Sequence, residues 1–381
     1  MGMECSIMPY PITKDFIESN FPTLSTMTYL NNASTGIPPV SAINAMKQYL
    51  DDKIHAKGSF EETLQNFKAV RESLAELLGG REDQYAFVSS TSAGINSFAH
   101  SIQYPEGSNI VICDLEFPSN YIPWQNASRL YGVELRVADS RNGEAPLEIF
   151  EELVDENTRV LSISQTQFGS GFRADLRGLA KIVHDVNGYL VADIIQAAGW
   201  ADTDLSKENV DFASGQAAKW LIGPIGAGYI YVADQILDKV TPRFLSWWGV
   251  KDIMNFSYAD REPLPDAKMF QVGSPAMISY VGFMESLKLL LDMPAATRER
   301  ITLENAEYLR KRLAEEEIGF YDFPEKNRSP IVSCKPDDVE ELQKRLQNRN
   351  IHCSVRNGRL RISPHFYNTH EDIDALLDSL R

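Results

Sequence analysis

The sequence holds few of the residues that build metal centres, and it spaces them unhelpfully. Its four cysteines, Cys5, Cys113, Cys334 and Cys353, form no CxxC pair, and its six histidines show no HxH or HExxH spacing. A structural metal is not implied. No stretch approaches the roughly 20 apolar residues of a membrane span. The Met1–Tyr10 end lacks the basic and apolar regions of a secretory signal, so a cytoplasmic protein is expected. Basic residues are outnumbered, with 37 Lys and Arg against 53 Asp and Glu, for a formal net charge of −16. A field of that sign repels polyanions, so neither nucleic acid nor an anionic membrane is an expected partner. Internal repeats and low-complexity linkers are also missing.

What is present is an ordinary globular chain: 381 residues, 43% hydrophobic, long enough for one large core and a smaller one. Seven apolar segments suit strands: AFVSS, NIVICDL, VELRVAD, RVLSISQ, GYLVAD, VDFAS and GAGYIYV. Helical patterns such as LRGLAKIVHDVNG fall between several of them. That alternation predicts an α/β fold with a mostly parallel sheet wrapped by helices, whose ligands gather at the carboxyl ends of the strands. From Ala276 the pattern changes to two long helices, then a strand, a helix, and two strands turning at Asn357-Gly358, a hairpin signal. Thr369 and Asp372 offer a capping box for a final helix. This part reads as a small α+β domain.

The most telling residues follow GYLVAD. Asp193 ends that strand, Gln196 comes three residues later, and Lys219 stands before the glycine-rich GPIGAG. Pyridoxal phosphate (PLP) requires such residues: a buried carboxylate keeps its pyridine nitrogen protonated, and an amine forms the Schiff base with its aldehyde. A desolvated lysine also gives up its proton readily enough to act as a base. Lys219 alone would read as one more solvated lysine; the combination reads as a cofactor site. Ser90, Thr91 and Ser92 precede a helix start, where free N–H groups and the helix dipole can hold a phosphate, although such a turn alone is more often an N-cap. GPIGAG lacks the spacing and the following helix of a dinucleotide fingerprint.

With these residues, six segments in order resemble the fold-type I PLP enzymes of the class V aminotransferase group, which includes cysteine desulfurases, kynureninases and isopenicillin N epimerase-like proteins. They are YLNNASTGIPP (29–39), VSSTSAGINSF (88–98), DLEFPSNYIPW (114–124), SQTQFGSGFRADL (164–176), FQVGSPAMISYVGF (270–283) and RLRISPHFYNT (359–369). The resemblance implies a seven-stranded large domain over residues 26–275, a small domain over 276–381, and an arm over 1–25 that packs with the small domain. It implies Lys219 as Schiff-base lysine and proton shuttle, and Asp193 as partner of the ring nitrogen. It assigns Gln196 to the ring hydroxyl oxygen, Phe117 to stacking on the ring, and Thr91 and Ser92 to the phosphate. Arg361 would grip the substrate carboxylate, with Asn32 and Gln167 also on the substrate side.

Departures from the group's pattern bear on details. Phe117 replaces the histidine of desulfurases and lyases, so stacking survives without an acid/base imidazole. Ala218 precedes the lysine where His or Tyr is common. Gln216 stands where a serine is usual and is a candidate phosphate ligand. Ser274 replaces a threonine that the partner subunit contributes, which implies a homodimer with composite sites. Desulfuration needs a nucleophilic cysteine, and Cys353, in the strand-like IHCSVR, reads as buried and inert. The expected function is therefore an epimerase-like or aminotransferase-like reaction on an amino acid. A Cβ lyase is the alternative, and a PLP-binding protein without turnover is the alternative from another class.

Overall fold

The computed structural model describes residues 12–380. In chain order its strands are β1 (Thr28–Tyr29), β2 (Tyr85–Val88), β3 (Asn109–Cys113), β4 (Glu134–Ala138), β5 (Thr158–Ser164), β6 (Tyr189–Asp193), β7 (Phe212–Gln216), β8 (Gly228–Val232), β9 (Val332–Cys334), β10 (Ile351–His352), β11 (Ser354–Arg356) and β12 (Arg359–Ile362). Strands β2 to β8 are the seven segments read from the sequence, and they form one sheet in the order β2-β8-β7-β6-β5-β3-β4. Only β8 runs against the others, pairing antiparallel with both β7 and β2.

The alternation of side chains along each strand divides the core in two. Val111, Leu161, Ile163, Leu190 and Ala192 face one side, against the Phe60–Leu78, Leu176–His184 and Met277–Leu291 helices. Ile110, Ile112, Val160, Val191 and Phe212 face the other, against Ile95 and Phe98 of the Thr91–Ala99 helix and Trp124 of the Pro118–Tyr131 helix. A sheet buried on both faces must be apolar along its whole length, which is why these strands read as near-continuous hydrophobic runs. Polar chemistry is left to the carboxyl ends of the strands.

In the C-terminal part, β11, β12 and β9 form an antiparallel sheet under the Ala295–Glu315, Val339–Asn348 and His370–Leu377 helices. The hairpin turns at Asn357 and Gly358 with φ of 50° and 69°, the left-handed pair that a two-residue turn requires. Thr369 and Asp372 cap the last helix reciprocally. The chain's beginning is tied to this part: β1 pairs parallel with β10, and Phe21 packs on Phe366 and Tyr367. Residues 1–11 of the expected arm, Cys5 included, lie outside the described residues. Among the described residues no helix is long and apolar enough to cross a membrane.

Candidate active site

Lys219 sits in a tight turn just beyond β7. The Ile222 amide donates to the Lys219 carbonyl at 2.9 Å, and the Gly223 amide to that of Ala217 at 2.8 Å. Closing this turn places Ile222, a buried β-branched residue, at φ 47°, a left-handed conformation of the kind that persists where packing enforces it, often at functional sites. Neighbouring backbone presses close. A Cβ on Gly36 would lie 2.0 Å from the Lys219 carbonyl oxygen, and one on Gly199 (φ +113°) 2.2 Å from that of Trp220, so both positions need glycine. The turn is also held by side chains. Trp220 Nε1 donates to Gln196 Oε1 at 2.7 Å. His365 Nε2 meets the Trp220 carbonyl at 2.9 Å while its Nδ1 accepts from the Phe366 amide. Burial drives His365 down to about 3, so it is the neutral tautomer that donates to Trp220.

Burial lowers the Lys219 amine to about 8, a fall that Asp193 opposes and that Arg361 and Arg356 deepen. Asp193, at the end of β6, is 2% exposed, and burial raises its carboxyl to about 7. An amide hydrogen bond from Ile195, at 3.0 Å, works against that rise. The two groups thus form a buried, mutually dependent pair, each moved towards neutrality by desolvation. Phe117, 40% exposed, caps the start of the Pro118–Tyr131 helix with its ring 5.6 Å from the Lys219 Nζ and edge-on to Phe168 at 5.1 Å.

Beside Phe117 lies a carboxylate that the sequence reading passed over. Glu116 is buried, and it accepts from the Ser164 amide and Gln167 Nε2 at 2.7 Å each, from Asn120 Nδ2 at 2.8 Å, and from the Ser164 hydroxyl. Four donors fill an ionised carboxylate's capacity, although burial pushes its pKa upward. Glu116 thereby joins the Phe117 segment to the end of β5 and to Gln167. A glutamate in a loop reads as solvated when no partner is adjacent in sequence, so only its place in DLEFPSN offered a hint.

At the other end of the pair, the Thr91–Ala99 helix points its N-terminus to the same edge of the sheet. Ser90 is its N-cap, accepting from the Ala93 amide at 3.2 Å, and Ser92 donates to Ser119 at 2.7 Å. Gln216 ends β7, three residues before Lys219. Ser274 is exposed and lines a 400 Å³ cavity together with Ser89, Ala93, Ser97 and Gly226.

The C-terminal sheet lies against the same residues. Arg361, on β12 and 2% exposed, donates to the Phe168 carbonyl at 2.9 Å and to the Ser34 hydroxyl at 2.6 Å. Asn32 is committed elsewhere: its Nδ2 donates to the Ser363 carbonyl at 2.8 Å and its Oδ1 accepts from the Tyr367 hydroxyl. Asp193, Phe117 and Arg361 therefore gather about the Lys219 amine, Gln196 and Gln167 connect to them through Trp220 and Glu116, and Asn32 braces the N-terminal segment against Ser363 and Tyr367.

Several buried polar atoms here lack a partner, among them Thr91 Oγ1, Gln167 Oε1 and Arg361 Nε. Native interiors leave few such atoms, and a cluster of them calls for a ligand. With a buried amine and a buried carboxylate acting on each other, and a helix N-terminus at the same edge of the sheet, the residues present fit PLP. Fold and site together define a fold-type I PLP enzyme. The family model for class V aminotransferases matches residues 28–376, so the chain belongs to that family. It is similar to an uncharacterized aminotransferase, YcbU, of Bacillus subtilis, 26% identical over 361 residues and covering 94% of this chain and 95% of the relative. It is equally similar to a probable cysteine desulfurase of Methanothermobacter thermautotrophicus, 26% identical over 391 residues with 96% of each covered. Among solved structures, the apo cysteine desulfurase of Thermococcus onnurineus superposes with a TM-score of 0.88 at 18% identity, covering 97% of this chain and 98% of that one. The cystine C–S lyase C-DES superposes at 0.87 and 20%, covering 94% and 98%.

Proposed function

We propose that this PLP-dependent enzyme moves the amino group of an amino acid, with Lys219 as the one proton carrier at the substrate Cα. The observation that carries this reading is that a phenyl ring, which cannot carry a proton, lies over the Lys219 amine, while the neighbouring carboxylate of Asp193 is assigned to the cofactor ring. Phe117 fills the position where an imidazole would serve, and His365 is neutral and turned onto the Trp220 carbonyl. A proton that Lys219 removes must then be returned by Lys219, which suits a shift of that proton between neighbouring atoms better than its delivery from the opposite side. When bound, the cofactor supplies an electron sink that stabilises negative charge at Cα. Lys219 would anchor it and Asp193 would hold a charge against its ring nitrogen. Phe117 would cover the ring, and the remaining Nε2 hydrogen of Gln196 would meet the ring oxygen. Thr91, Ser92 and the free amides of their helix would hold the phosphate, with Gln216 in reach of the same end. Arg361 would take the α-carboxylate with its planar fork.

The test is a panel of amino acids in deuterium oxide. Keto acid formation coupled to an added keto acid acceptor is expected. Racemised amino acid without keto acid, or release of sulfide or alanine, would overturn the reading.

A second reading, Cβ–S cleavage, is favoured by the names of several relatives, probable cysteine desulfurases. Against the thiol-dependent form of that reaction stand the cysteines among the described residues: Cys113, Cys334 and Cys353 are all buried, and burial raises each thiol, to about 12 for the last two. The form consistent with these residues is one in which the sulfur departs unaided, and sulfide or persulfide from cysteine or cystine would reveal it.

We also propose that the active unit is a homodimer in which Ser274 serves the neighbouring subunit's phosphate. What supports this is the exposure of large apolar residues at Phe244, Trp247, Met254, Phe256 and Tyr258, and of Val272 two residues before Ser274, of the kind that an interface covers. Mixing inactive Ser274→Arg subunits with inactive Lys219→Ala subunits should restore activity at one site per heterodimer. A monomer at working concentration, or no rescue in verified heterodimers, would refute it.

A further inference from the structure

We propose that the active site contains a second anion pocket, built on Arg356, that selects amino acids bearing an acidic side chain. The inference rests on the reading of Arg361 as the α-carboxylate ligand and extends it to the substrate's other end.

The β11–β12 hairpin carries three arginines on one face. The register sets Arg356 directly opposite Arg359 and Ser354 opposite Arg361, and opposed residues of an antiparallel pair project to the same side. Like charges in that arrangement cost stability unless something separates or neutralises them. Arg359 is accounted for. It stacks over the Tyr321 ring at 3.9 Å and donates to the Ser333 hydroxyl and carbonyl at 3.2 and 2.9 Å. The other two turn the opposite way, onto Ser34. Arg361 Nη2 donates to the Ser34 hydroxyl at 2.6 Å and Arg356 Nη2 to the same oxygen at 3.5 Å, which keeps the two Nη2 atoms within about 6 Å of each other.

Among the described residues neither guanidinium has a carboxylate partner. Arg356 Nη1 donates to the carbonyl of its own neighbour, Val355, at 2.7 Å, and Arg361 donates to the Phe168 carbonyl and Ser34. In a chain with 53 acidic residues, leaving two adjacent, largely buried arginines to neutral oxygens is a costly arrangement that an incoming anion would relieve. One α-carboxylate neutralises one of them. Both arginines also act on the Lys219 amine, and Arg356 acts on Arg361, and the shared Ser34 hydroxyl keeps the second guanidinium beside the first. Two planar forks this close match two anionic groups two or three carbons apart, as in aspartate, glutamate or cysteine sulfinate.

The test uses the PLP-loaded enzyme, titrated with L-alanine, L-aspartate, L-glutamate and L-cysteine sulfinate. Binding is read from the change in visible absorbance and, independently, from the shift in thermal midpoint. The wild type should bind at least one acidic amino acid about tenfold or more tighter than alanine, the scale of one added charge-assisted contact. Arg356→Gln should lose far more affinity for the acidic ligands than for alanine, Arg356→Lys should keep part of the preference, and Arg361→Gln should weaken all four. Equal binding of alanine and the acidic amino acids by the wild type, or an undiminished preference in Arg356→Gln, would overturn the second pocket while leaving the amino acid site standing. No response to any of the four would remove the parent reading and this one together, a distinct outcome.

Discussion

The two sides of the pocket are built differently. The cofactor side comes from the carboxyl ends of the parallel strands: Asp193 closes β6, the Lys219 turn follows β7, and the Thr91–Ala99 helix follows β2. Each group is fixed by its own strand and by close backbone contacts, such as those of Gly36 and Gly199. The side proposed for the substrate is assembled from remote pieces: Ser34 near the chain's beginning, Phe168 in a loop after β5, and Arg356 and Arg361 on a hairpin of the C-terminal sheet. Its arginines are held by neutral oxygens, of Phe168 and Ser34 for Arg361 and of Val355 and Ser34 for Arg356. Such a design keeps the electron sink constant and lets the choice of substrate vary with a hairpin and a loop.

The strongest way to break this comparison is at Asp193. Asp193→Asn removes the charge opposite the ring nitrogen but keeps the shape, so the fold should persist while turnover falls by several orders of magnitude, roughly 3–6 kcal/mol in the barrier. Steady-state kinetics on the loaded variant measure it. Near-wild-type turnover would mean that Asp193 only caps its strand and that the cofactor side is not rigidly specified.

The same contrast explains what was legible in the sequence. All seven strands of the large sheet could be read, because a sheet covered on both faces is apolar without interruption, and the cofactor residues stand in short segments next to those strands. Reversal of β8 could not be read, since periodicity carries no direction. Glu116 escaped because its four donors come from Asn120, Ser164 and Gln167, none of them marked as its partners by spacing. Asn32 was assigned to substrate on resemblance, yet both ends of its amide are engaged with Ser363 and Tyr367. The meeting of Arg356 and Arg361 at Ser34 depends on three-dimensional closure, which the hairpin signal at Asn357-Gly358 announces without saying what it closes upon.

A sharper test of the cofactor side is the pH dependence of reloading the apoenzyme. Only the neutral amine can attack the cofactor's aldehyde. Burial lowers Lys219 from its ordinary 10.5 to about 8, so the neutral fraction, and with it the reloading rate, should rise about tenfold per pH unit below pH 8 and level off above it. A solvated lysine would keep rising towards pH 10. The rate is followed as visible absorbance appears, and Lys219→Ala should show none. A profile still climbing at pH 9.5 would mean that the turn does not desolvate Lys219 as tightly as its backbone contacts imply.

The smallest effect is expected at Cys353, and it decides which chemistry the substrate side supports. This residue lies between β10 and β11, in the core beneath the C-terminal sheet with Leu360 and Ile362, and burial raises its thiol to about 12. At neutral pH it is a protonated, enclosed side chain, so it is a poor nucleophile even though the hairpin that carries Arg356 and Arg361 begins one residue later. Cys353→Ala should cost about 1 kcal/mol of stability through lost packing, read as a shifted denaturation midpoint, and should leave product formation at the wild-type rate. Activity that vanishes while the fold and the bound cofactor persist would mean that the hairpin opens to present this thiol. The substrate side would then be a moving sulfur acceptor, and desulfuration would displace amino-group transfer as the reaction this pocket performs.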